Sequence, residues 1–355
     1  HAGHEVILPG FTCSVMVNAV LRVGAQPVFT NINKDCFGSD ANEIEKKISK
    51  QTKLIVAQHS FGIPCDIENI SNLAKKRGIF LVEDCAITLD SSYEGIKVGN
   101  WGDAAIFSTD HSKPINTIIG GFLFTRDKDL FNKIQSINQK IPHLSKEHQY
   151  RLFSRMLFEK KYCNPANYPR VMILEYLQMV KKSFYSDSIF LENDYCNPLI
   201  SNPGDYPYPA KMPPFLAKLG LFEIERWESE RKRRKNLLEG YLQIAKQLGF
   251  DTCLPKAYFA DNIDIVPLRF VFRCEQYDDI IRNMSRYVDT NWIWFREPII
   301  CCPDGVESLG YKNGSCSLSE TIGQTIVNWP CAIPHKWHST ILKDFNNTMN
   351  SYKIL

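Results

Sequence analysis

Short apolar runs alternate with amphipathic stretches over the first third of the chain. Glu5-Val-Ile-Leu8 reads as a strand that stops at Pro9-Gly10, and Ser14 to Arg22 has helical spacing. Pro27-Val-Phe-Thr30 is a second strand, and Asn42 to Ile48 is a helix charged on one face. Leu54-Ile-Val-Ala57 is uninterrupted and apolar, as a strand buried on both faces of a parallel sheet is. Ile67 to Arg77 is an amphipathic helix whose basic last turn suits the negative end of the helix dipole. Phe80-Leu-Val82 and Ala104-Ala-Ile-Phe107 are further buried strands, and Phe122-Leu-Phe124 reads as another core strand. Strands alternating with helices predict an α/β fold with a mostly parallel sheet and helices on both faces.

The rest of the chain is less regular. Residues 127–140 predict a helix, whereas 141–207 is rich in Tyr, Phe and Pro and keeps no period. That stretch is consistent with an irregular or helical insertion over the mouth of a site. Pro203-Gly-Asp-Tyr-Pro-Tyr-Pro209 is a break. It suggests a large α/β domain over 1–207, then a long helix and a small α+β domain over 208–355. Phe215 to Leu242 is that long helix, and Val266-Pro-Leu-Arg-Phe-Val-Phe272 is a strand of the smaller domain. The basic run Arg231-Lys-Arg-Arg-Lys235 follows Glu223, Glu225, Glu228 and Glu230 on the same helix. That order predicts a solvated, ion-paired face rather than a surface for nucleic acid.

Composition changes this picture little. The chain has 355 residues, 44% of them hydrophobic and 23% charged, with a net charge of +3. Such a balance gives no reason to expect nucleic acid or an anionic membrane as a partner. No run of about eighteen apolar residues is present, so no membrane span is expected. The twelve cysteines include no Cys-x-x-Cys pair. They read as reduced thiols of a cytoplasmic protein, with no metal site. The opening His1-Ala-Gly-His-Glu lacks an initiator Met and begins at the lip of a strand, as the remainder of a longer chain would.

Candidate chemistry gathers where strands end, which is where ligands collect in parallel sheets. Thr12, His59, Asp84, Ser108 and Lys113 each follow a predicted strand. A partly desolvated lysine can attack a carbonyl to form a Schiff base. A carboxylate can hold a pyridine nitrogen protonated, and hydroxyl donors can bind a phosphate. Lys113, Asp84 and Ser108 suit these three tasks in pyridoxal 5'-phosphate (PLP) binding. Singly, each also has a plainer reading: Asp84 as a helix N-cap, Ser108 as a turn residue, and His59 and His111 as loop histidines. Trp292, Trp294 and Phe295 read as core rather than as a platform for a sugar.

Eight segments in order carry a resemblance. They are Glu5-Val-Ile-Leu-Pro-Gly-Phe-Thr12, Gly24-Ala-Gln-Pro-Val-Phe29, His59-Ser-Phe-Gly-Ile-Pro-Cys-Asp66 and Val82-Glu-Asp-Cys-Ala86. They continue through Tyr93-Glu-Gly95 with Gly102-Asp-Ala-Ala105, and through Phe107-Ser108 with Lys113 and Gly120-Gly121. Ala210-Lys-Met212 with Gly220, and Val327-Asn-Trp-Pro330, complete the set. In these the chain resembles the PLP-dependent sugar aminotransferases of the DegT/StrS group, of fold type I.

The resemblance implies a mostly parallel seven-stranded sheet sandwiched by helices. It implies that Lys113 carries PLP covalently as an aldimine, that Asp84 pairs with the pyridine nitrogen and that Ser108 binds the phosphate. Cys13 would lie over the ring, Thr12 would also bind the cofactor, and Ile87 would stand near the phenolic oxygen. His59, His111 and Lys211 are candidate substrate contacts. The reaction implied is transfer of an amino group, usually from glutamate, to a keto group of a nucleotide-linked deoxysugar for surface polysaccharide or glycoconjugate synthesis. The active sites would be shared in a homodimer. Departures from the pattern are Cys13 for a stacking aromatic, Ile87 for Gln or His, Pro209 for Asn, and the lack of a Ser-Gly-Thr segment before Glu5. They keep open a non-catalytic homologue. A sugar dehydratase is disfavoured because that branch typically has His in place of Lys113.

Overall fold

The computed structural model describes residues 2–162, 173, 177, 209–275, 277–284, 288 and 293–351. In the first part of the chain the strands are β1 (Glu5–Pro9), β2 (Thr12–Cys13), β3 (Gln26–Thr30), β4 (Thr52–Gln58), β5 (Phe80–Asp84), β6 (Ser92–Tyr93), β7 (Ile96–Lys97), β8 (Ala104–Ser108) and β9 (Gly121–Phe124). Later come β10 (Ile263–Asp264), β11 (Arg269–Arg273), β12 (Ile299–Ile300) and β13 (Ile326–Pro330). The helices are α1 (Ser14–Arg22), α2 (Ala41–Glu45), α3 (Ile67–Arg77), α4 (Lys128–Lys140), α5 (Lys146–Tyr162), α6 (Pro214–Leu248), α7 (Tyr277–Met284), α8 (Ser317–Thr325) and α9 (His338–Ser351).

Six strands form one sheet in the order β3-β1-β4-β5-β8-β9, parallel except for β9. The α/β class and mainly parallel sheet are those expected. Among the described residues six strands make up this sheet, and β10-β6-β7, β11-β13 and β12-β2 pair apart from it.

Central strands hold together because they bury both faces. In β1, Ile7 enters one core with Phe61 and Leu268, while Val6 and Leu8 enter another with Val17, Val20, Phe29 and Tyr311. β4 repeats this period of two, with Ile55 and Ala57 on the first side and Val56 on the second. Helix ends follow local chemistry. Asp40 accepts from the N–H groups of Asn42 and Glu43 to start α2, and Gly78, at φ 65°, closes α3 in the left-handed conformation.

The C-terminal part shares the first core. Tyr241, Phe270, Phe272, Trp329 and Phe345 are all fully buried, and the Tyr241 and Phe270 rings stack 4.4 Å apart. Because the same contiguous core includes Ile7 and Ile55, α6, β11 and β13 are fastened to the sheet. The boundary expected between 207 and 208 lies outside the described residues, as does most of 163–208. Within the stretch left unassigned from sequence, α5 is a regular helix.

Two expectations are corrected. Phe122-Leu-Phe124 is not a core strand: among the described residues β9 pairs with β8 alone at the sheet edge, and these side chains are 45%, 43% and 40% exposed. The basic run on α6 is not wholly solvated either. Arg234 falls on the inward stripe with Glu230, Leu237, Leu238 and Tyr241 and is 3% exposed. Burial lowers its guanidinium pKa, and Nη1 donates to Pro267 O at 3.4 Å. Arg231, Arg233 and Lys235 do form ion pairs, with Glu228, Glu230 and Asp264.

The turn after β4 needs a glycine for two reasons. Gly62 has φ 99°, and a Cβ there would lie 2.3 Å from Val266 O, a backbone atom fixed in the shared core. Gly78 also has positive φ, but a Cβ there would meet nothing within 4 Å. Gly78→Ala is therefore expected to cost about 1 kcal/mol in urea unfolding, and Gly62→Ala more than about 3 kcal/mol. Equal losses would contradict the packing described.

Candidate active site

Three strands deliver the site. β4, β5 and β8 run parallel, with Gln58 paired to Asp84 and Asp84 paired to Ile106. Their C-terminal ends thus lie side by side, and Ser108 closes β8 two residues beyond Ile106.

The residue that fixes this level is Glu83, fully buried. Its Oε1 accepts from the N–H groups of Trp101 at 2.7 Å and Gly102 at 2.8 Å, and its Oε2 from that of Gly99 at 2.7 Å. His59 Nε2 lies 3.1 Å from the same Oε2, while His59 Nδ1 accepts from Cys65 N–H at 3.0 Å. An accepting Nδ1 places the ring proton on Nε2, so His59 donates to Glu83. Burial alone would raise the Glu83 pKa. His59 and the N–H groups of Gly102 and Gly99 outweigh it and hold the carboxyl below its ordinary value.

His59 was expected to touch substrate, but the structure turns it inward with both nitrogens engaged. With Cys85 it forms a group whose ligand atoms all lie within 4.8 Å of one another, though the chain's own donors already occupy Glu83. Glu83 was missed from sequence, although its place beside Asp84 in the Glu-Asp segment was a usable signal.

Asp84 is 5% exposed. Oδ1 accepts from Ala86 N–H at 2.9 Å, and Oδ2 receives no hydrogen bond among the described residues. Burial raises its pKa, against the pull of the Ala86 N–H and of the Lys113 charge. A buried carboxylate with one oxygen lacking a donor, at a strand end and within the field of an amine, fits a protonated pyridine nitrogen.

Lys113 sits in the connection from β8 to β9, and that connection is tied closed. Thr117 Oγ1 donates to Thr109 Oγ1 at 2.6 Å, Thr109 N–H to Gly120 O at 2.9 Å and Lys113 N–H to Asp110 O at 2.9 Å. Gly120 has φ 129°, and a Cβ there would lie 2.2 Å from Met212 Cε. The lysine is therefore carried on a braced turn. Its Nζ makes no hydrogen bond among the described residues and lies 4.6 Å from the centre of the Trp294 ring. The Arg269 guanidinium lies 4.5 Å from the same ring, so one indole is shared by two cations. Asn328 pins Trp294 by accepting from its N–H at 3.2 Å and donating to its carbonyl at 3.0 Å. Trp294 is thus more than core, unlike Phe295, which stacks on Phe11 at 4.6 Å. Trp292 lies outside the described residues.

The other candidates are less tightly gathered. Thr12 is buried, and its N–H donates to Pro298 O at 2.9 Å. Cys13 is partly exposed, and the Cys301 thiol and the Lys113 charge both act to lower its pKa. Ser108 Oγ accepts from Asp110 N–H at 3.4 Å, a weak bond that leaves the hydroxyl able to donate. His111 Nδ1 contacts Asp110 Oδ1. Ile87 packs into the main core. Lys211, a candidate substrate contact, donates instead to Gln139 O at 3.1 Å in the last turn of α4, where a cation suits the dipole.

The fold and these side chains define the α/β architecture of the aminotransferases. The chain belongs to the DegT/DnrJ/EryC1/StrS aminotransferase family, whose sequence model matches residues 1–156. It is similar to GDP-perosamine synthase of Escherichia coli O157:H7, at 41% identity over 131 residues, covering 37% of this chain and 36% of that one. It spans about a third of the length of the curated relatives it first matches. A longer match is to the uncharacterised protein MJ1066 of Methanocaldococcus jannaschii, 34% identical over 332 residues, covering 92% of this chain and 74% of that one. In three dimensions it is similar to an aminotransferase from Psychrobacter cryohalolentis, with a TM-score of 0.69, 18% identity, and coverage of 99% of this chain and 81% of that chain.

Glu83→Gln replaces one accepting oxygen with a donor that faces the chain's N–H groups. An expected loss of about 3 kcal/mol in urea unfolding follows, and a loss within about 0.5 kcal/mol would contradict the role given to this carboxylate.

Proposed function

We propose that this chain is a PLP-dependent aminotransferase that moves an amino group from glutamate to a keto group of a nucleotide-linked deoxysugar. Its product would serve surface polysaccharide or glycoconjugate synthesis in the cytoplasm. Residues 1–207 are read as the cofactor-binding domain. The observation that carries the proposal is Asp84, buried with one oxygen lacking a donor and within the field of a Lys113 amine that makes no hydrogen bond among the described residues. The naming of a relative as GDP-perosamine synthase supports the substrate class.

When bound, PLP supplies an electrophilic carbonyl carbon and a ring that accepts electrons. Asp84 would accept the pyridine N–H and keep that nitrogen protonated. Burial, which raises the Asp84 pKa, also strengthens its attraction for a cationic partner. Lys113 Nζ would hold the cofactor covalently. As a free amine the same nitrogen would serve as the base that takes up and returns a proton at the site. The Trp294 indole steadies that nitrogen while it is a cation. Ser108 Oγ would donate to the phosphate, and Cys13 would lie against the ring. The exposed Phe122, Leu123 and Phe124 along the β9 edge are apolar surface that a second copy would cover in a homodimer.

Purified protein supplied with PLP is expected to show a visible absorbance band that glutamate bleaches. Lys113→Ala should lose the covalent band and about 10²–10⁴-fold of the transfer rate. Asp84→Ala should retain the cofactor roughly 10–100-fold more weakly, as loss of a charge-assisted bond would give. A Lys113→Ala protein that keeps the band and the rate would overturn the assignment.

A further inference from the structure

We propose that Cys13 and Cys301 form a dithiol beside Lys113 that hydrogen peroxide converts reversibly into a disulfide. The two thiols belong to adjoining segments. β2 and β12 pair in parallel with Cys13 opposite Ile300, and Cys301 is the next residue. A neighbouring strand lies about 4.8 Å away and one residue of chain adds about 3.3 Å sideways, a separation of roughly 5.8 Å. Disulfides span Cα separations of about 4.4–6.8 Å.

Strict alternation would point Cys301 away from Cys13. The strand ends there, however, with Cys301 at φ 58°, and this left-handed step breaks the alternation and leaves the two thiols close enough to shift each other's titration. Ser14 Oγ donates to Cys301 O and holds that turn against the start of α1.

Access and reactivity are on the same side. Cys301 is exposed and Cys13 partly so, whereas Cys36, Cys65, Cys85, Cys316 and Cys331 are buried. The Cys301 hydrogen bond, the Val15 N–H and the Lys113 charge together outweigh burial and bring the Cys13 thiol down to about 7. Cys301 is raised, chiefly by donating to Cys13 and then by burial. Burial pushes Cys36 and Cys331 up to about 12, which leaves them inert at neutral pH. Cys13 is therefore the attacking sulfur and Cys301 the resolving one.

The step balances. The Cys13 thiolate attacks one oxygen of hydrogen peroxide, the O–O bond breaks, and the departing hydroxide takes a proton to leave as water. Cys13 is then a sulfenic acid. The Cys301 sulfur attacks it, the S–O bond breaks, and the oxygen leaves as a second water carrying the Cys301 proton. Two thiols are oxidised and one peroxide is reduced. The consequence for catalysis rests on the proposed function: the bridge would take the Cys13 sulfur away from the cofactor ring and draw the segment after β12 across the space in front of Lys113.

The test uses the whole chain with stoichiometric hydrogen peroxide, followed by alkylation, digestion and mass spectrometry. Expected is a cross-linked peptide joining Cys13 to Cys301, reversed by dithiothreitol, with Cys36 and Cys331 still recovered as thiols. In Cys301→Ser, Cys13 should stop as a sulfenic acid with one equivalent of peroxide and advance to a sulfinic acid with a second, with no cross-link in either case. Recovery of both residues as thiols in the native chain, or of Cys13 as a sulfinic acid beside an unmodified Cys301, would overturn the inference. The cross-link is read without cofactor, so its absence leaves the aminotransferase assignment standing, and failure of PLP to bind Lys113 leaves the cross-link standing.

Discussion

One buried carboxylate sets the frame of this protein. Glu83 collects three backbone N–H groups and one imidazole inside a fully buried pocket. A charge placed there without donors would be driven to take up a proton. With four donors it stays ionised and ties the end of β5 to the Gly99–Gly102 turn that leads into β8. Asp84 is the next residue, and β8 carries the chain on to Ser108 and Lys113. The relative position of the two reactive groups therefore depends on a residue that touches neither ligand nor solvent.

From that frame the electrostatics follow. Asp84 is pushed up by burial and pulled back by the Lys113 charge, which puts carboxylate and amine in one field. Among the described residues the Lys113 amine meets the Trp294 face and forms no ion pair. An indole attracts a cation without taking its proton, so the amine stays positioned and yet available. The threonine pair at positions 109 and 117 keeps the turn from opening. Binding sites need such bracing because a misplacement of about 1 Å can remove most of the benefit of proximity.

Much of this was legible beforehand, for identifiable reasons. Apolar runs at β1, β4, β5 and β8 reflect burial on both faces, a local property of the string, and helix α3 is read to its ends because its basic turn and Gly78 are local signals. Asp84 and Lys113 stood out because their chemistry and their strand-end positions are both visible in sequence. What stayed hidden depends on contacts made at long range. Phe122–Phe124 has the composition of a core strand, and only the sheet order shows it to be an edge. His59 looks the same in sequence whether its ring faces a ligand or Glu83. Arg234 sits in a charged run, and only the packing of α6 shows that it points inward. Trp294 reaches Lys113 from the far end of the chain, with no spacing to announce it.

The claim on which the account turns is that Asp84 and Lys113 share one site. Carboxyl carbon NMR of the cofactor-free chain, titrated with and without Lys113→Met, measures this directly. The account expects Asp84 to titrate above the ordinary aspartate range, and to move higher still when the ammonium is removed. A midpoint at Asp84 unmoved by that substitution would contradict it.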